Sequence, residues 1–180
     1  MYAKTASSII VRKLTYSALC LALALLLPFL TGQIPQIGSM LCPMHLPVLL
    51  CGFLCGWQYG AVVGFIAPLL RLVMFGMPPF YVAIAMAFEM AVYGAVSGLL
   101  YRAFPRNITG IYLSLLTAMI TGRLVWGAVK FVMAGFQHTE FSFALFISGA
   151  VTGSIPGIIL QLVLVPLLVA AAEKAKLVLD

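Results

Sequence analysis

Long apolar runs with very few charges are the feature that most limits what this chain can fold into. Only 8% of its 180 residues are charged, whereas 64% are hydrophobic, and the mean hydropathy is +1.17. So few charged side chains cannot cover the surface of a water-soluble domain of this size. The sequence therefore predicts an all-α membrane protein, and it argues against a soluble fold and a disordered chain.

The apolar runs predict a six-helix transmembrane bundle. A spanning helix needs about 20 apolar residues, so six such helices with short connections fit into this chain as one domain over residues 1–180. The approximate spans are 14–30, 45–58, 59–75, 80–102, 109–134 and 143–172. Only the segment from Gly56 to Gly60 separates the second span from the third, and the count falls to five if that segment is helical. The last two spans are long enough to be tilted, broken or partly outside the hydrocarbon.

Lysine and arginine are distributed unevenly between the predicted loops. Three loops that would lie on the same side of the membrane, about 31–44, 76–80 and 135–142, contain no lysine or arginine. Their one acidic residue is Glu140. Because cytoplasmic loops collect Lys and Arg, both termini are predicted to be cytoplasmic. This topology explains most of the net charge of +6, and the basic residues are too sparse for a nucleic-acid-binding patch. The basic residues on the predicted cytoplasmic side are Lys4, Arg12, Lys13, Arg102, Arg106, Lys174 and Lys176.

Small residues at four-residue spacing allow helices to approach closely. Pairs such as Gly60 and Gly64 are predicted to pack within the bundle. Ala18 and Ala22 differ because they lie among large leucines on the first span and form a notch on its surface. This notch either docks another membrane protein or packs inside this chain.

Four ionisable side chains lie inside the predicted spans, where each is costly and usually faces a cavity or a partner. At 1.5 Å per residue, Arg71 and Lys130 lie about 6 Å below the outer surface, and Glu89 and Arg123 lie about 13 to 17 Å deep. The similar depths predict that Glu89 faces Arg123. A purely structural Glu89–Arg123 ion pair would leave two cations unbalanced. Those cations suggest a ligand that has an anionic group or ring oxygens.

Helical spacing brings further groups to the same faces. Trp126 and Lys130 follow Arg123 at i+3 and i+7 on the fifth span, and Tyr93 follows Glu89 at i+4 on the fourth. Aromatic rings at these positions and at Tyr81 could stack on a ligand. The predicted substrate-binding residues are His45, Arg71, Tyr81, Glu89, Tyr93, Arg123, Trp126 and Lys130.

Cys42 and His45 place a thiol and an imidazole together at the outer start of the second span. A metal site would need two more convergent ligands, and the other histidine, His138, lies in a different loop. His45 is therefore interpreted as a gate, a ligand contact or an interfacial residue, and neither a metal nor another cofactor is predicted.

Two other classes of protein remain as alternatives. A stand-alone proton-coupled carrier or channel would favour several carboxylates along a path and matched internal repeats, which the sequence lacks. An intramembrane enzyme would need a nucleophile with a nearby base. The sequence has no phosphate-binding G-x-x-x-x-G-K-[ST] loop, so any ATP hydrolysis is expected in separate subunits and the chain is predicted not to be an enzyme.

Several pieces together resemble the substrate-binding S component of energy-coupling factor (ECF) vitamin transporters. They are the six-span layout, Ala18-x-x-x-Ala22, the run from Gly38 to Gly56, Gly60-x-x-x-Gly64 leading to Pro68, and Glu89-x-x-x-Tyr93-Gly94 closing on Gly98. No single piece is specific, but the combination covers essentially the whole chain.

This resemblance implies a multi-pass protein of a prokaryotic plasma membrane that captures a vitamin from outside. It further implies a membrane T component, which contacts Ala18 and Ala22, and two cytoplasmic ATPase subunits that drive toppling of the S component in the bilayer. The vitamin would lie in the outer half, in the region of the predicted substrate-binding residues.

The cationic residues favour an organic vitamin with a carboxylate, a phosphate or a polar ring. Pantothenate, a pyridoxine-type vitamer and a folate-like compound all fit. A cobalt- or nickel-binding S component is less favoured, because Met44-His45 is internal whereas the Met-His pair of those proteins is N-terminal.

Overall fold

The computed structural model of the chain describes residues 2–31, 40–137, 142–150 and 152–179. Within these ranges every regular element is helical. The α-helices are α1 (Tyr2–Leu26), α2 (His45–Cys55), α3 (Trp57–Phe75), α4 (Phe80–Ala103), α5 (Ile108–Gln137), α6 (Phe143–Ala150) and α7 (Ile155–Lys174), with short 3-10 helices at Leu27–Thr31 and Thr152–Ser154.

Five segments are long and apolar enough to cross a membrane, which makes the chain a multi-pass all-α membrane protein. They are Ser8–Leu30, Trp57–Phe75, Phe80–Ala103, Ile108–Phe136 and Ile155–Lys174. The predicted second span is different, since α2 has only 11 residues. A helix of that length extends about 17 Å, well short of the hydrocarbon thickness of about 30 Å. The count of six spans therefore stays a prediction, as does the side on which the termini lie.

The structure differs from the predicted spans at two places: the boundary between the second and third spans, and the middle of the sixth. Gly56 separates α2 from α3 with φ 96° and ψ 168°, a conformation that only glycine adopts readily. The break is this one residue, because Trp57 already begins α3. The predicted sixth span, 143–172, is divided: α6 ends at Ala150, and α7 begins at Ile155 with a proline in its first turn.

Helix α4 is the centre of the bundle and packs against α2, α3 and α5. Its approach to α2 and α3 depends on glycine. A Cβ atom on Gly94 would lie 2.2 Å from the Gly60 carbonyl oxygen, and one on Gly52 would lie 2.2 Å from Ser97 Oγ. The prediction that such glycines serve packing within the bundle is confirmed at these positions.

Helix α1 packs on α2 and α3 through one face only. Ser17, Cys20 and Ala24 are buried on that face, and the Cys51 thiol lies 3.6 Å from Ser17 Oγ. Ala18 and Ala22 are exposed. The small-residue notch therefore faces away from the described bundle, which argues against the alternative that it packs inside this chain.

The end of the bundle that carries Arg102, Arg106 and Lys174, called the basic end below, is closed by two links. The Tyr101 hydroxyl of α4 donates a hydrogen bond to the Glu173 carboxylate of α7. The backbone N–H of Leu179 donates to the Leu54 carbonyl at 2.8 Å, which ties the segment after α7 to α2. The first link sets the relative height of α4 and α7.

Candidate functional site

A buried carboxylate near the middle of α4 lies at the centre of the candidate site. Glu89 is 1% exposed, and its Oε1 lies 2.9 Å from Nη1 of Arg123 on α5. The same oxygen lies 3.5 Å from Nε2 of His45 on α2. The prediction that Glu89 faces Arg123 is confirmed, and His45 joins the pair.

The start of α2 brings His45 to this position. Cys42 adopts a left-handed φ of 47°, and the backbone N–H of His45 donates to the Cys42 carbonyl at 3.1 Å. This turn directs the chain into α2, which packs on α4. The first side chain of α2 is therefore 2% exposed and lies against Glu89 instead of facing solvent.

Tyr93, one turn after Glu89, provides an aromatic wall. Its ring centroid lies 5.2 Å from that of His45 with the planes at 61°. Room for the ring comes from α5, because a Cβ atom on Gly122 would lie 2.1 Å from the Tyr93 ring. Glycine beside Arg123 thus lets the aromatic ring and the guanidinium group share one space.

Cys42 borders the same group on the side away from the basic end. Arg123 Nη2 donates to Cys42 Sγ at 3.6 Å. Burial raises the pKa of the Cys42 thiol above its ordinary value, against the opposing effect of the Arg123 charge. The thiol is therefore neutral near pH 7. Cys42, His45, Glu89, Tyr93 and Arg123 are called the polar cluster below.

The polar cluster contains buried polar atoms that have no hydrogen-bond partner among the described residues. They are His45 Nδ1 and Nε2, Glu89 Oε1 and Arg123 Nε. Glu89 Oε1 is close to Arg123 as an ion pair, but the N–H geometry does not make a hydrogen bond. Buried polar groups are nearly always hydrogen-bonded, so a small molecule held between these atoms would satisfy them.

Trp126 and Lys130 form a second group farther along α5. Lys130 Nζ lies 5.9 Å from the Trp126 ring centroid, and that ring lies 6.3 Å from Phe146 of α6. A Cβ atom on Gly149 would lie 2.8 Å from the same indole. Helix α6 therefore covers the tryptophan, and the cation lies beside it.

Arg71 and Tyr81 have other surroundings. Arg71 Nη1 donates to the Leu25 carbonyl of α1 at 2.8 Å, and its guanidinium carbon lies 5.2 Å and 5.5 Å from the ring centroids of Phe29 and Phe75. Tyr81 is 48% exposed. No contact among the described residues joins either side chain to the polar cluster, so their role in substrate binding stays a prediction.

Gln161 of α7 is buried, with 2% of its surface exposed, and it is not among the residues predicted from the sequence. One signal could have identified it: it is the sole polar side chain in the run from Ile155 to Ala172. The predicted loop residues His138 and Glu140 lie outside the described residues. Among the described residues, no three His, Cys, Asp or Glu side chains group as metal ligands.

Comparison with known proteins gives one family. The model of the family described as "ECF transporter, substrate-specific component" matches residues 12–169, which is more than half of the chain. Neither the curated proteins nor the solved structures give a match.

Proposed function

Because this chain belongs to the family of ECF transporter substrate-specific components, we propose that it captures a vitamin or related micronutrient for import. Components of this family bind substrate, whereas ATP hydrolysis resides in partner subunits. The proposed function is therefore high-affinity capture without catalysis.

The observation that carries this proposal is the polar cluster with its unpartnered atoms. Charged groups buried among apolar helices cost several kcal/mol unless they are paired and hydrogen-bonded. The Glu89–Arg123 pair balances the charges, but Glu89 Oε1, Arg123 Nε and both His45 nitrogens lack hydrogen bonds. A bound polar substrate would provide them.

Trp126 and Lys130 extend the proposed site toward α6. An indole offers a flat surface for stacking, and the ammonium group would attract a negatively charged end of the substrate. Pantothenate, a pyridoxine-type vitamer and a folate-like compound each combine polar groups with a carboxylate or an aromatic ring. These three classes are the proposed substrates.

The exposed face of α1 is the proposed docking surface for the membrane T component. Ala18 and Ala22 leave a notch on this face, and small residues let a partner helix approach closely. The complex would include two cytoplasmic ATPase subunits, whose hydrolysis of ATP would drive toppling of this chain in the plasma membrane of a prokaryotic cell.

The test is to purify the full chain in detergent and identify co-purifying small molecules by mass spectrometry. Thermal unfolding is then followed while pantothenate, pyridoxine or folate is added. A ligand that binds only the folded state raises the midpoint with concentration. A stoichiometric vitamin that raises the midpoint supports the proposal, and indifference to all three compounds with no co-purified molecule contradicts it.

A further inference from the structure

Gln161 of α7 lies at the same height in the bundle as Glu89 of α4. The hydrogen bond between Tyr101 and Glu173 joins the two helices near the basic end, toward which both run. Glu89 precedes Tyr101 by twelve residues, and Gln161 precedes Glu173 by twelve. At 1.5 Å per residue, both side chains start about 18 Å from this shared link.

Gln161 also points into the bundle. It is 2% exposed, and its neighbours Ile158 and Val165 pack into the apolar group that contains Tyr93 of the polar cluster. Helix α7 packs on α2 and α5, the helices that carry His45 and Arg123. Gln161 therefore faces the interior at the level of the polar cluster.

The amide of Gln161, like the polar cluster, contains a buried atom that lacks a hydrogen bond. Its Oε1 is buried and has no hydrogen-bond partner among the described residues. An amide in an otherwise apolar stretch of helix lowers stability if nothing bonds to it. At one height, four helices thus present buried polar atoms that have no hydrogen bond among the described residues: His45 on α2, Glu89 on α4, Arg123 on α5 and Gln161 on α7.

We infer that Gln161 contacts the substrate, and that the buried part of this substrate is a neutral group with N–H or O–H donors. The inference rests on the function proposed above. The Glu89 carboxylate and Gln161 Oε1 only accept hydrogen bonds, so they need donors, whereas the N–H at Arg123 Nε needs an acceptor. An amide or a hydroxyl group offers both a donor and an acceptor, but a carboxylate offers acceptors alone. The Arg123 charge is already balanced by Glu89. An anionic end of the substrate would therefore lie toward Lys130 and away from these oxygens.

The experiment compares the full chain with Gln161→Met and with Gln58→Met as the matched control. Methionine keeps the length of the side chain and removes the amide that could bond to a substrate, and Gln58 is an exposed glutamine. Pantothenate, pyridoxine and folate are titrated by calorimetry, with inorganic phosphate and acetate as competitors. The ligand-free unfolding midpoint is recorded for each protein.

The expected result is that Gln161→Met weakens the compound that binds by about tenfold or more, while Gln58→Met leaves its affinity unchanged. The ligand-free midpoint of Gln161→Met should equal or exceed that of the unmodified chain, because the lost amide oxygen had no partner. In a Lys130→Met protein, which lacks the charge that would hold an anionic end, phosphate and acetate should not displace the compound.

Unchanged affinity in Gln161→Met, a lowered ligand-free midpoint, or competition by phosphate or acetate that persists in Lys130→Met would overturn this inference alone. If none of the three compounds binds the unmodified chain and no small molecule co-purifies with it, the proposed function fails and the inference fails with it.

Discussion

Glu89 Oε1 and Arg123 Nη1 lie 2.9 Å apart, with side-chain exposures of 1% and 15%. Because the pair is buried, removing one partner leaves the other charge uncompensated, which typically costs ~3–5 kcal/mol. Stability and substrate binding therefore depend on the same two side chains, and single substitutions alone do not separate the two roles.

A double substitution separates them. Arg123→Ala should lower both thermal stability and substrate affinity, the latter by ~1–3 kcal/mol if a charge-assisted hydrogen bond is lost. Glu89→Gln combined with Arg123→Met removes both charges, so it should recover stability without recovering affinity. Unfolding midpoints and calorimetric titration test this, and recovery of binding in the double variant would make the pair purely structural.

His45→Phe should reduce substrate affinity and leave stability nearly unchanged. Phenylalanine retains the aromatic contact with Tyr93, whereas the two nitrogens it removes have no hydrogen-bond partner among the described residues. We expect a loss of ~1–2 kcal/mol in binding free energy. Wild-type affinity in a folded His45→Phe protein would show that the imidazole does not contact substrate.

Ala18→Leu and Ala22→Leu should leave substrate binding intact and block transport in cells that express the partner subunits. Both alanines are exposed on α1, so leucine adds bulk to the notch without entering the bundle. Ala128→Leu is the matched control, since Ala128 is exposed on α5. Normal uptake by both α1 variants would exclude this surface as the docking site.

Arg71→Met should destabilise the chain by ~1–3 kcal/mol, because it removes the hydrogen bond to Leu25 and the contacts with two aromatic rings. Substrate affinity should change by less than about threefold, a free-energy difference under ~1 kcal/mol. A large loss of affinity without a change in unfolding midpoint would instead place Arg71 in the binding site, as the sequence predicted from its depth in the membrane.

Gly94→Ala should strongly lower the yield and unfolding midpoint, because its new Cβ would lie 2.2 Å from the Gly60 carbonyl oxygen. Backbone must move to relieve that contact, at a cost of ~1–3 kcal/mol or more. Gly135→Ala is the control, since nothing lies within 4 Å of its Cβ position in α5. Alanine there should be neutral or stabilise the helix by up to ~1 kcal/mol.

The sequence by itself determined the class of protein and most of its helices. In an apolar run of bilayer length, the backbone N–H and C=O groups cannot bond to water and must bond to one another within a helix. Apolar runs of this length therefore predict membrane helices. Charged side chains within such spans are costly and therefore indicate a partner or a cavity. The similar depths of Glu89 and Arg123, counted at 1.5 Å per residue, predicted that these two side chains face each other. The spacing of the glycines likewise predicted close packing, because a residue without a side chain lets the backbones of two helices approach in any helix pair.

Only the tertiary structure decided which partners the remaining polar groups have. Arg71 and Lys130 were predicted at a similar depth, and their surroundings differ: Arg71 contacts α1, whereas Lys130 lies beside Trp126. Depth fixes the height of a residue in the membrane but not the rotation of its helix about the helix axis. His45 joins Glu89 through a turn at Cys42. Gln161 reaches the level of Glu89 through the Tyr101–Glu173 link between helices distant in sequence. Such relations depend on how separate helices are placed, which no local pattern of residues encodes.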